Sequence, residues 1–434
     1  MSSPTELGES PADSPAGSLA DALRAAARRH GTPLYATDLA TLDAACTAVR
    51  EAFPDPIVRQ FSVKANDLPT IIGEVGARGF GANVVSRGEW ALARRAGLPN
   101  ARITLEGVGK TPADLRAAAR AAASADPLLW VAIESAEEAE ELAAAARRAG
   151  RVAGSDGPGL RLDVLYRLNP DVAPETLAGL AVGAGATKFG MTETEIATAI
   201  SAGGGPDGPL RPRGIHLHVG SQLGAIDAWR DAVRKALAVA ALWRGSIETF
   251  DTVDLGGGFP VRPVDEPSPS PERFARELPA LLDGVPADRR PTRLAIEPGR
   301  ALVARAGWLL ARVLHVRDRA GRQVVIDAGM TELIRPALYG ARHPIVALTS
   351  LGRPVDPADP ADPAEPAGSA GVERTRVEGP ICESTDSLGE HDLPPLRRGD
   401  LVAIADAGAY AASFSSRYNG RPRARHVFVD PVAG

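Results

Sequence analysis

From about Asp38 to Arg300, short runs of apolar and β-branched residues alternate with longer stretches whose apolar positions recur every three or four residues. The first pattern predicts strands over 57–65, 81–85, 102–107, 128–135, 164–169, 214–220, 252–258 and 293–299. The second predicts helices between them, as at 135–149 and 228–243. Eight strands, each followed by a helix, are the signature of a parallel (β/α)8 barrel. An open doubly wound sheet seldom needs eight units, and no glycine-rich phosphate fingerprint follows the first strand.

Past Arg300 the period changes. Short β runs at 308–316, 323–327, 401–405 and 426–429 follow one another without long helices. They predict a C-terminal, mostly antiparallel β domain over 301–434, joined by 18–37 through an extended piece at 32–37, with the barrel over 38–300. The first 17 residues, rich in Ser, Pro, Gly and acid, read as a disordered leader. Residues 351–372 are low-complexity Pro, Asp and Ala and read as an inserted surface loop.

Composition narrows the class. At 434 residues, 44% hydrophobic and 24% charged, the chain reads as an ordinary globular protein of two domains. Its 49 basic and 54 acidic side chains give a net charge of −5, scattered rather than blocked, which argues against a nucleic-acid surface. Cys46 and Cys382 are too few for a disulfide framework or a zinc site. No apolar run has the length of a membrane span, and the N-terminus lacks the basic start and apolar core of a signal peptide. The expectation is a cytoplasmic protein with no nucleic-acid or membrane partner.

The unusual residues fall at the C-terminal ends of the predicted barrel strands, where barrel active sites are built. The first strand ends in "SVKAN", placing Lys64 at the mouth; alone it reads equally as a surface lysine. "HLHVGSQ" puts His216 and His218 two apart, on one face of a strand. A metal pair lacks a nearby acid or thiol to complete it, whereas a ring-facing imidazole followed by a Gly–Ser step suits an anionic ring ligand. "DLGGGFP" offers Gly256, Gly257 and Gly258, either a flexible turn or a phosphate cup. "IEPGR" places Glu297 either in an ion pair with Arg300 or against a pyridine nitrogen, whose protonation it would maintain. Lysine, ring-facing histidine, glycine cup and carboxylate together describe pyridoxal 5′-phosphate (PLP) rather than a nicotinamide or a metal.

Twelve strings stand in family order between about Pro33 and Asp430: "SVKAN", "GANVVSRGE", "EGVGKT", "IESAEEAE", "YRLNPDV", "TKFGM", "GIHLHVGSQ", "DLGGGFP", "EPGR", "ELIRPALYGARHPI", "GPICESTD" and "GAYAASFSSRYNGRPR". On these the chain resembles the fold-type III PLP-dependent decarboxylases of ornithine, lysine, arginine and diaminopimelate, most closely the diaminopimelate branch. The resemblance implies an alanine-racemase-like barrel, Lys64 as the Schiff-base lysine, and His218 stacked on the ring with His216 left to packing. It implies phosphate contacts from Ser221, Gly256, Gly257 and Gly258, with Gly299 also binding the cofactor. Glu297 would face the ring nitrogen, with Arg167, Arg300 and Tyr410 near the cofactor. Arg300, Arg335, Tyr339, Glu383 and Tyr410 would bind substrate, with Cys382 the proton donor. In the family the "CES" residues come from a partner subunit, which implies a homodimer. The implied reaction converts meso-2,6-diaminopimelate to L-lysine and CO2, in lysine biosynthesis.

Arg335 bears on the substrate, because a guanidinium fork suits the second carboxylate that simple diamine precursors lack; a structural Arg–Asp pair is the other reading. Cys382 alone reads as a core thiol; beside Glu383 and ahead of Tyr410 it fits a donor of protons to carbon. Several positions depart from the family. Asn83 stands where Asp is common, Leu177 where many relatives have His, and Phe414 and His426 where Met and Glu are usual. They leave open a paralogue acting on another amino acid. An amino-acid racemase would need a second base opposite the lysine, commonly Tyr, where the Cys-Glu-Ser string stands. A non-catalytic relative would not need to keep Lys64, Glu297 and Cys382.

Overall fold

The computed structural model describes residues 17–152, 160–172, 187–261, 268–355 and 371–430. Leu177, the first 16 residues and positions 356–370 of the insertion lie outside the described residues. The chain divides into two units: one of Asp43–Val261 with Ser268–Leu302, the other of the described residues up to Leu42 and from Val303 onward.

Strand β1 (Leu34–Asp38) belongs to the second unit. The first unit is a closed parallel barrel of β2 (Val58–Ser62), β3 (Gly81–Val84), β4 (Ile103–Leu105), β5 (Trp130–Ile133), β6 (Leu162–Leu168), β7 (Leu210–Leu217), β8 (Thr252–Asp254) and β9 (Arg293–Ile296), with β9 pairing back to β2. All eight predicted strands are present, most of them shorter than their apolar runs because the last residues turn out of the ladder. β6 and β7 are the exceptions and begin two and four residues early. In β7, Pro212 cannot donate to a ladder, and the register slips there, Val164 pairing Pro212 and Leu165 pairing Gly214.

The two-residue period of the strands sorts their side chains. Gln60, Asn83, Thr104, His216, Thr252 and Asp254 alternate with apolar neighbours such as Phe61, Val84, Ile215 and Val253, and all are buried. Trp130, Leu165 and Ala295 form an apolar layer, with Val58 and Leu129 packed on it. The sequence thus builds a barrel with an apolar floor and a polar upper interior. The helices are cut to length by their caps: Thr111 and Asp114 close a capping box on Pro112–Ala123, and Thr192 and Glu195 another on Glu193–Ala202. Helix Asp227–Arg244 buries Trp229, Val233, Leu237 and Ala240 on one face at helical spacing.

In the second unit, β10 (Gly307–Asp318) pairs β1 and then β11 (Arg322–Ile326). Further strands are β12 (Ile345–Ala347), β13 (Thr349–Ser350), β14 (Arg353–Pro354), β15 (Glu373–Glu378), β16 (Ser387–Leu393), β17 (Leu401–Ile404) and β18 (Arg425–Val429). Most pairings are antiparallel, but β1–β18 and β11–β15 run parallel. The sheet is therefore mixed rather than purely antiparallel, because the N-terminal strand inserts between β10 and the last strand. Helix Gly17–His30 covers one sheet face with Leu19, Leu23 and Ala27 against Leu34, Leu310 and Val429. The other face carries Leu309, Val313, Ile326, Val377 and Ile404. No helix among the described residues is long and apolar enough to cross a membrane.

Candidate active site

The barrel's polar side chains converge where its strands end. Glu106 follows β4, His216 lies in β7, Asp254 closes β8 and Glu297 follows β9; all four are buried. His216 Nε2 lies 3.4 Å from Glu106 Oε2 and nearer still to Glu297. Asn83 Nδ2 donates to Glu106 Oε2 at 2.6 Å, and Asp254 Oδ1 accepts the Gly256 N–H at 2.9 Å. Glu106 Oε1, Asp254 Oδ2 and Glu297 Oε1 are buried without a hydrogen-bond partner among the described residues.

Carboxyls crowded together away from water do not all ionise. Burial, followed by the neighbouring Glu297, pushes Glu106 up to about 8. Burial, then Glu297 and Glu106, hold Asp254 well above the usual carboxylate range. Burial outweighs the attraction of Glu106 and brings His216 down to about 4. The expectation that no acid stands near the histidine pair is therefore corrected: Glu106 and Glu297 flank His216, with donor atoms of all three within 4.8 Å of one another. His216 is a member of this polar centre as well as a packing residue. Neither Glu106 nor Asp254 stood out in sequence, although Glu106 directly follows β4 and Asp254 closes β8, each ahead of a glycine-containing turn ("EGVGKT", "VDLGGG").

Lys64 lies just past β2, in the 3-10 turn Val63–Ala65, its side chain exposed between buried Val63 and Ala65. His218 lies just past β7, so the two histidines do not share one strand. Its Nδ1 accepts the Gly257 N–H at 3.1 Å and lies 3.8 Å from Glu297 Oε2. Burial, then the charges of Lys64 and Arg167, hold His218 well below its ordinary value. A ring that accepts at Nδ1 and is neutral carries its proton on Nε2.

The glycine run is closed to side chains. A Cβ on Gly257 would stand 2.3 Å from Glu297 O, and one on Gly258 2.4 Å from Gly220 O. Two of its three N–H groups are spent on Asp254 and His218. The run therefore packs closely against neighbouring backbone, and two of the three donors on which the phosphate-cup reading counts are already engaged. Arg300 Nη2 approaches Ser221 Oγ at 3.5 Å, beside Gly299. Arg167, at the end of β6, is paired with buried Glu134 and lies 4.8 Å over the Phe189 ring.

The remaining candidates belong to the second unit. Arg335 is buried at the start of helix Arg335–Tyr339 and donates from Nη1 to His343 Nε2 at 2.7 Å. His343 Nδ1 in turn donates to Ala405 O at 3.0 Å. Cys382 and Glu383 are exposed. Asp386 anchors their loop, its Oδ2 accepting the Ile381 N–H at 2.7 Å and its Oδ1 the Met330 N–H at 2.5 Å. Asn419 Oδ1 accepts the Cys382 N–H at 3.2 Å, and Tyr418 donates its hydroxyl to Glu383 Oε1 at 2.5 Å. Tyr410 adopts a left-handed backbone at φ 58°, a strained conformation for a bulky residue. Phe414 is exposed, with its ring centroid 6.1 Å from that of Tyr410, and His426 Nε2 is hydrogen-bonded to Thr37 Oγ1 at 2.9 Å.

Residues 39–304 match the family described as pyridoxal-dependent decarboxylase, pyridoxal binding domain. A diaminopimelate decarboxylase of Aquifex aeolicus is 33% identical over 422 residues, spanning 94% of this chain and 89% of the relative. One from Pseudomonas aeruginosa is 34% identical over 411 residues, 94% and 90% of the two chains. Among solved structures, diaminopimelate decarboxylase from Helicobacter pylori complexed with L-lysine superposes with a TM-score of 0.80 at 28% identity, covering 94% of each chain.

Proposed function

Since the chain belongs to the pyridoxal-dependent decarboxylases, in their diaminopimelate decarboxylase branch, we propose that it converts meso-2,6-diaminopimelate to L-lysine and CO2. One observation carries this reading: Glu297 Oε1 is buried at the mouth of the barrel, 3.0 Å from His216 Nε2 and without a formed hydrogen bond among the described residues. An acceptor in that position suits a protonated ring nitrogen. The residues therefore fit PLP, which when bound supplies an electron sink for the charge left on the α-carbon as CO2 departs.

Each residue then has a task. Lys64, exposed at the strand end, would hold the cofactor through its amine. Neutral His218 offers an uncharged face to the ring. Ser221 and the run Gly256, Gly257 and Gly258 would hold the phosphate, with Gly299 and Arg300 also at the cofactor. Arg167, fixed by Glu134, would lie near the cofactor. Arg335 and Tyr339 take the distal carboxylate of the substrate and Glu383 its distal ammonium, with Arg300 and Tyr410 completing the substrate contacts. The Cys382 thiol delivers a proton to the α-carbon. The Cys382 loop of each copy serves the barrel of another in a homodimer, and the enzyme works in the cytoplasm.

The test is CO2 release by the PLP-loaded protein offered meso-diaminopimelate, lysine, ornithine, arginine and glutamate separately. Turnover of meso-diaminopimelate with L-lysine as product is expected. Turnover of one of the others in its place would identify a paralogue with a different substrate.

A further inference from the structure

The pair Asn83–Glu106 has no part in the scheme above, yet it touches the carboxylate on which that scheme depends. Asn83 meets Glu106 Oε2 with a donor. The opposite oxygen, Oε1, is buried and has no hydrogen-bond partner among the described residues. Around Glu106 stand Asn83 from β3, His216 from β7, Asp254 from β8 and Glu297 beyond β9, with Arg167, Lys110 and Glu134 acting on His216 through space. Among the described residues, no cation is in contact with Glu106. A second ionised carboxylate there would be uncompensated, and a neutral carboxyl needs an acceptor for its proton.

We propose that Glu106 is a positioning residue of the cofactor site: held by Asn83, it stays protonated, donates to Glu297, and confines the negative charge of the barrel centre to Glu297. This rests on the assignment of Glu297 to the ring nitrogen. It also explains the departure at position 83. An Asp there would set two acids 2.6 Å apart, whereas Asn supplies the donor that a fixed carboxyl oxygen requires. The chain has its buried acid at 106 in place of 83.

The experiment compares PLP dissociation constants and holoenzyme absorbance for wild type, Glu106→Gln and Glu297→Gln. Gln reproduces the donor of a protonated Glu but cannot ionise. At about pH 6.5, Glu106→Gln should bind PLP within about twofold of wild type, because both present a neutral group. Toward about pH 9 ionised Glu106 attracts the ring cation, so wild type should bind more tightly than the variant, with the ratio rising by up to about tenfold. A tenfold loss already at about pH 6.5, or a ratio flat across the range, overturns the proposal. Glu297→Gln separates the premise from the inference: it should weaken PLP about tenfold or more and alter its spectrum at every pH. If it does neither, the ring assignment fails and the proposal with it.

Discussion

His216 Nε2 lies 3.0 Å from Glu297 Oε1, and because burial keeps the imidazole neutral the contact is not an ion pair. A neutral imidazole orients the carboxylate without cancelling its charge, which stays available to a cationic ring. Replacing Glu297 by Gln should keep the fold and lower kcat roughly 10²-fold, the usual cost of one preorganised electrostatic contact. Steady-state kinetics with saturating PLP, alongside circular dichroism, check this; activity within a few-fold of wild type would remove Glu297 from the chemistry.

Glu106 gives stability a defined pH dependence. Its value in the fold, about 8, exceeds the ordinary 4.5, so the folded protein holds this proton more tightly than the unfolded chain. Its contribution is complete below about pH 4.5, declines above it, and is gone beyond about pH 8. In melts of the full chain without added cofactor, Tm of Glu106→Gln relative to wild type should rise between those values and level off above them. A constant difference would contradict the burial of a protonated acid.

The Asn83–Glu106 contact predicts a coupled pair. Asn83→Asp should destabilise the wild-type background by about 1 kcal/mol or more beyond its effect in Glu106→Gln, where the new amide can donate to the new acid. Denaturant unfolding of the two single variants and the double variant measures the coupling. Simple additivity would show that the two side chains do not interact as described.

Most of the barrel was legible in the sequence and its centre was not. The eight strands announce themselves because both barrel faces of each are set by local alternation, and Lys64, His218, the glycine run and Glu297 stand out at strand ends. The acid cluster depends on closure of the sheet. Glu106 and His216 are 110 positions apart and Glu297 a further 81, and no local period reports that β4, β7 and β9 converge. The start of β7 was hidden by Pro212, which reads as loop but sits at a register slip. In the second unit the parallel β1–β18 pairing joins the two ends of the chain, which is likewise invisible to a local pattern.

Tyr418 and Asn419, part of a matched string without an assigned role, hold Glu383 and the Cys382 backbone. Tyr418→Phe should raise KM for meso-diaminopimelate about fivefold, in line with loss of one partly exposed hydrogen bond, with little change in kcat. An effect confined to kcat would place Tyr418 in the proton transfer instead.

The central claim is that Lys64 and the barrel mouth make this chain a PLP-dependent decarboxylase of meso-diaminopimelate. The most direct test is L-lysine and CO2 formation from meso-diaminopimelate by wild type and Lys64→Ala, each with and without added PLP. Equimolar L-lysine and CO2 from the PLP-loaded wild type, and none above background from Lys64→Ala, is the predicted result. Equal rates for the two proteins, or CO2 release only from a different amino acid, would contradict it.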